Sequence, residues 1–307
     1  MSKADFPSVK LDEILRIGQL PAMPQSALRL LDVSKDPSAG PSEYTLPIEA
    51  DPGLMVQVLQ FVNSSYFGFP NKISNVKQAI TLVGVRAIKN FSLYSAVFSL
   101  IPDPQCGSFS LRSLWQDSLR RALFARTMAQ VLGLQEAEEP FAAALLQDMA
   151  VPLLAKEVPG AYAKLFGARE KADSRIRLSA LEQHVFGWNH ADAAGIMARN
   201  WNLPEACASL VEDHLSIEQC NAETDSGKVA VAMSALLPTL GDNEWTEFSM
   251  FEDHYTKLSP ADAPSIPDLL EQIDDEFADF APVLRITVPD SSLVDSYHQV
   301  GGVEAEV

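Results

Sequence analysis

The sequence predicts an all-α protein built as two helical lobes. Apolar residues recur at helical spacing along almost the whole chain, and period-two alternation is scarce. The separators between helix-length segments are Gly, Pro or Asn. With 307 residues, 47% hydrophobic and 21% charged, the chain is long and apolar enough to bury its own cores.

Taken in order, PQSALRLLDVSKD sets Ala27, Leu28, Leu30 and Leu31 on one side and breaks at Asp36-Pro37. Asp51-Pro52 starts the next helix, because the carboxylate accepts from orphan N–H groups and proline fits the first turn. The run DPGLMVQVLQFVNSSYFG is expected to stay helical to Gly68. The stretch NVKQAITLVGVRAIKNFSLYSAVFSLI follows, with a break expected near Gly84. IPDPQCGSFS, with two prolines and a glycine, reads as the connection between lobes.

The second lobe begins with SLWQDSLRRALFARTMAQVLG and EEPFAAALLQDMAVPLLAKEV, each read as one helix. AYAKLFGAREKA, LSALEQHVFG, HADAAGIMARNW, PEACASLVEDHLSIEQ and VAVAMSALLPTLG continue the helical pattern. Residues 1–105, 106–240 and 241–307 are the expected units. The last is an acidic extension with one amphipathic helix, whose stripe is Ile266, Leu269, Leu270, Ile273, Phe277 and Phe280.

Three cysteines at unrelated spacings make neither a disulfide framework nor a zinc knuckle. No apolar leader and no run of 18 apolar residues is visible, which predicts a cytoplasmic protein without membrane contact. The net charge of −18 sits almost wholly in residues 202–307, which carry three basic against 22 acidic side chains. Such a lobe repels phosphate backbones, and no basic stripe elsewhere compensates, so direct nucleic-acid binding is not expected. The acidic third reads first as a solvated face and second as a surface for a basic partner.

Phosphate-binding loops, dinucleotide fingerprints, nucleophile elbows and HExxH are absent from the sequence. What remains is polar residues within apolar helices. Asp148, in AALLQDMAVPLLA, needs a charge partner, hydrogen bonds or a metal. His190 opens a helix, and His214 follows Glu212 and Asp213. An Asp with two His from separate helices suits a metal site, but spacing alone favours a buried Asp–His pair that ties helices together. Asn63-Ser64, inside an apolar run, is read as a tie to a neighbouring element ahead of a ligand or partner contact. Trp188 and Trp201 read as core ahead of a binding platform.

The ordered set Leu20-Pro21-x-x-Pro24, Asp51-Pro52, Asn63-Ser64, Tyr66-Phe67-Gly68 and Ala79-Ile80-x-Leu82-x-Gly84 resembles the opening of an HDOD domain, the HD-related output domain of bacterial signalling proteins. LLQDMAVPLL, FGWNHADAAGIMARNWNLPE and VEDHL continue the resemblance, which spans about residues 15–240. It implies a C-terminal lobe like the HD hydrolases, where a His, a His-Asp pair and a distal Asp hold metal and cleave phosphate esters. Position by position, this chain has Asp117 for the first His, Gln147-Asp148 for the pair and Ser234 for the distal Asp. His190 and His214 match histidines that help bind metal in the related HD-GYP phosphodiesterases, although the GYP signature is missing.

A glutamine amide is a weak ligand for borderline metals, and serine brings no charge to offset a cation. The resemblance therefore implies a degenerate site: no cofactor, no catalytic metal, and a regulatory module that works by binding protein partners. Rival readings are a metal-dependent phosphohydrolase acting on nucleotides or cyclic dinucleotides, and a nucleotide sensor without turnover.

Overall fold

The structure, a computed structural model, describes residues 6, 10–16, 20–36, 38–64, 67–135, 137–171, 176–221, 223–240, 244–282 and 284–304. Pro37 and Tyr66 of the motifs above lie outside them. All described elements are helical, with no strand among the described residues. No described helix is long and apolar enough to cross a membrane.

The N-terminal lobe comprises α1 (Leu11–Ile14), α2 (Gln25–Val33), α3 (Pro41–Glu49), α4 (Pro52–Val62), α5 (Val76–Val83) and α6 (Val85–Leu100). Helix α6 is its spine and packs on α2, α3, α4 and α5. Asp51 caps α4 by accepting from Leu54 N at 3.1 Å, and its other oxygen takes Ser26 Oγ at 2.8 Å, which ties α2 to α4. At Gly84, φ is +98°, so the chain ends α5 and starts α6 in a conformation that a Cβ would strain.

Helix α3 had no counterpart in the sequence reading. Pro47 inside it removes one ladder bond and interrupts the apolar period on which that reading depends. The run from Asp51 also stops six residues before Gly68, at Val62. Asn63 ends it: Nδ2 donates to Leu59 O at 2.7 Å and Ile73 O at 2.8 Å, while Oδ1 accepts from Ile73 N at 2.8 Å. Ser64 Oγ donates to Phe61 O at 2.7 Å. Both side chains are spent on backbone, as caps and ties.

The second lobe is arranged around α7 (Leu111–Val131), which is buried on every face from Gln116 to Ala129. Helices α8 (Glu138–Leu146) and α14 (Ser226–Ser234) pack along it. Between them run α9 (Ala150–Glu157), α10 (Pro159–Lys171), α11 (Leu178–Phe186), α12 (His190–Asn200) and α13 (Glu205–Glu212). Helix α8 also packs on α6 and so joins the lobes. Trp188 stacks on Phe186 at 4.7 Å, and Trp201 Nε1 donates to Pro21 O at 2.9 Å.

Residues 138–157 form two helices with a turn at 147–149 where one was expected. Pro152 supplies the reason. In a continuous helix its ring would meet the carbonyl of Asp148, and its missing N–H would leave that carbonyl unpaired. The turn places Gln147 and Asp148 at a helix corner.

Beyond residue 241 the expected single helix is corrected to three: α15 (Phe248–Leu258), α16 (Ile266–Phe280) and α17 (Leu293–Glu304). Acidic residues between Phe248, Phe251 and Tyr255 had masked the first of these, although all three side chains are buried. The stripe from Ile266 to Phe280 is fully docked, and α16 packs across α7. Phe280 lies 5.6 Å from both Phe61 and Phe141 between ring centres, so the tail fastens both lobes.

Candidate functional site

The site forms where α7, the 147–149 turn, α11, α12 and the end of α13 converge. Gly187, in the left-handed region at φ +81°, ends α11. Asn189 then caps α12 by accepting from Ala191 N at 2.8 Å, and Asp192 closes the box by accepting from Asn189 N at 2.9 Å. His190 thus becomes the first residue of α12. Its backbone N donates to Glu182 Oε2 at 2.8 Å.

Asp148 is buried, and Arg121 Nη1 donates to its Oδ2. Its Oδ1 lies 3.2 Å from His190 Nε2 and 3.9 Å from His214 Nε2. The other nitrogen of His190, Nδ1, lies 2.6 Å from Glu182 Oε2. Tyr162 donates to Glu182 Oε1 at 2.7 Å, which fixes that carboxylate from behind. His214 Nδ1 donates to Val211 O at 2.7 Å, so its Nε2 faces the site with a lone pair.

Burial works against every charge here, and the partners decide the outcome. Burial pushes the Asp148 carboxyl up, but Arg121 and then His190 outweigh it and hold the group below the ordinary carboxylate range. Burial opposes the His190 cation, yet Glu182 and Asp148 push its pKa up to about 10. For His214 burial wins, and its pKa falls to about 4. Burial raises Asp117 to about 6 against the pull of Arg121 and the Leu240 N–H, which it accepts at 3.0 Å.

Of the residues singled out in the sequence, the structure gathers Asp148, His190 and His214, whose donor atoms lie within 4.8 Å of one another. Asp117 and Gln147 line the same cavity. Ser234 Oγ donates to Val231 O at 2.7 Å and lies 3.3 Å from Gln147 Oε1. Asn63 and Ser64 belong to the other lobe. Sequence reasoning passed over Arg121 and Glu182. Arg121 stands one turn after Asp117 on the same face, and Glu182 interrupts the apolar stripe of Leu178, Leu181 and Val185.

Two imidazoles and a carboxylate are donors that borderline metals accept. Their donor atoms lie close enough together to form a candidate metal site. As placed here, Nε2 of His190 faces Asp148 and its Nδ1 faces Glu182. Arg121 already supplies the positive charge that Asp148 needs.

The sequence profile of the HDOD domain matches residues 20–217. A protein of Treponema pallidum (strain Nichols), described as uncharacterised, is 24% identical over 209 residues. That match covers 68% of this chain and 40% of the relative, so the chain spans well under two thirds of its length. Among solved structures, an HDOD domain protein of unknown function from Geobacter sulfurreducens superposes with a TM-score of 0.62 at 19% identity, covering 96% of this chain and 94% of that one. A candidate phosphohydrolase from Shewanella amazonensis SB2B gives 0.62 at 17% identity, covering 94% of each chain. A candidate signal transduction protein from Marinobacter aquaeolei VT8 also gives 0.62 at 17%, covering 91% of this chain and 61% of its own. At these identities the structural likeness is one of fold.

Proposed function

The chain belongs to the HDOD domain family, and on that premise we propose that it is a non-catalytic regulatory module of bacterial signalling. It acts in the cytoplasm by binding protein partners, and its HD-type centre is degenerate. The observation that carries this reading is the double engagement of Asp148. One oxygen takes Arg121, and the other takes a histidine whose second nitrogen rests on Glu182.

Metal-assisted hydrolysis needs a cation that polarises a phosphoryl oxygen and makes hydroxide near neutral pH. Here the cations are a guanidinium and an imidazolium, and neither can bind and activate water in that way. We place the partner-binding surface on the N-terminal lobe, supported by its exposed large apolar side chains. Leu46, Val56 and Leu82 are exposed on α3, α4 and α5, which pack against one another.

The test is elemental analysis of protein purified without added metal, paired with turnover assays on cyclic di-GMP and nucleotides. The expected result is no stoichiometric metal and no hydrolysis. Stoichiometric iron, manganese or zinc, with turnover abolished by Asp148→Ala, would establish the hydrolase reading instead.

A further inference from the structure

One turn apart on α7, Asp117 and Arg121 both line the cavity beside Asp148. It encloses about 350 Å³, within the roughly 300–1,000 Å³ typical of small-molecule sites. Both residues are more than nine-tenths buried, Asp117 at 7% exposure and Arg121 at 9%. Each spends one side of its head group inside the protein. Asp117 Oδ1 accepts from Leu240 N at 3.0 Å, and Arg121 Nη1 donates to Asp148 Oδ2. Among the described residues nothing pairs with Asp117 Oδ2 or Arg121 Nη2, and neither atom is sealed from solvent. A carboxylate oxygen and a guanidinium nitrogen therefore open onto the cavity from one helix face.

The two do not satisfy each other, since among the described residues the ion pair of Arg121 is with Asp148 alone. Residues four apart on a helix hold their Cβ atoms about 5–6 Å apart, so one small group can reach both. A carboxylate only accepts and is best met by a cationic donor; a guanidinium only donates and is best met by an anionic acceptor. The rest of the lining also carries both signs. Arg169 and Glu170 lie on α10, and Arg177 donates to Glu247 at 2.8 Å. An anion such as phosphate would meet Asp117 unfavourably, and a polyamine would meet Arg121 in the same way. A ligand that carries both charges on neighbouring atoms finds a partner for each.

We propose that this cavity binds a free α-amino acid as its zwitterion. The ammonium donates to Asp117 Oδ2 and the carboxylate accepts from Arg121 Nη2, with a single carbon between the two groups. This site goes beyond the regulatory reading and is tested separately from it, since metal content and turnover decide that reading while amino-acid binding decides this one.

The experiment screens the full chain by thermal unfolding against the twenty standard L-amino acids, one at a time at millimolar concentration, and measures each hit by calorimetry. A saturable rise in Tm with at least one of them is expected. The methyl ester of that amino acid lacks the carboxylate, and its N-acetyl derivative lacks the ammonium. Each should bind at least about tenfold more weakly than the parent. Asp117→Asn keeps an acceptor for Leu240 N–H but loses the charge, and should weaken binding of the parent by a similar factor. Arg121→Lys keeps a cation beside Asp148 but loses Nη2, with the same expected effect. Silence of all twenty amino acids would overturn the proposal. So would an ester or N-acetyl derivative that binds as well as its parent, or undiminished binding by whichever of the two variants folds. The derivatives are tested on the wild-type chain, so the test stands even where neither variant folds.

Discussion

Arg121 on α7 donates to Asp148 at the corner between α8 and α9, and both side chains are only 10% exposed. The guanidinium thereby supplies the opposite charge that the buried carboxylate needs. Removing one partner of a buried pair leaves the other charged and unpaired. Arg121→Ala is expected to destabilise the fold by about 3 kcal/mol, read as a lowered midpoint in urea unfolding. Because Asp148 Oδ2 is then released, the same variant should bind zinc more tightly than the wild type, measurable by calorimetry.

His190 and His214 should titrate in opposite directions, and NMR of the imidazole rings checks it. The His190 pKa is raised to about 10, against about 6.5 for unfolded histidine. Its contribution to stability is complete below about pH 6.5 and is lost as pH rises toward 10. The His214 pKa is lowered to about 4, so its contribution is present above about pH 6.5 and is lost as pH falls through 4. At pH 7 one ring should be doubly protonated and the other singly. Glu182→Gln removes the leading support for the His190 cation, and should bring that pKa down.

Asn63 makes three hydrogen bonds to backbone, two of them to Ile73 across ten residues. Asn63→Ala should cost about 2 kcal/mol in denaturant unfolding, whereas Ser64→Ala, which gives up one local bond, should cost about 0.5 kcal/mol. Equal costs would show that the cross-chain tie carries nothing.

Phe280 is 1% exposed and meets Phe61 of one lobe and Phe141 of the other. Phe280→Ala opens a void where three elements meet, with an expected loss of about 3–5 kcal/mol. Thermal unfolding should then broaden or split, because the tail no longer couples the two lobes.

Gly195 on α12 faces α13 so closely that an added Cβ would stand 2.8 Å from Glu212 Cβ. Gly195→Ala should therefore lower Tm, although alanine is the better helix former by about 1 kcal/mol. A raised Tm would show that α13 yields at no cost.

The helices were legible in the sequence wherever an apolar stripe ran uninterrupted, as from Val85 to Leu100 or from Ile266 to Phe280. Periodicity is a local property, set by neighbours three and four residues away. So was the need of Asp148 for a partner, because its apolar surroundings are written along the chain. The identity of that partner was not. Arg121 lies 27 residues away, and only the packing of α7 against α8 brings its guanidinium to the carboxylate at the end of α8. The pairing of His190 with Glu182 likewise depends on the turn at Gly187 that folds α12 back on α11. Sequence alone established that the chain is helical and that Asp148 sits among apolar residues in need of a partner; the three-dimensional approach of separate helices decided which charge answers which.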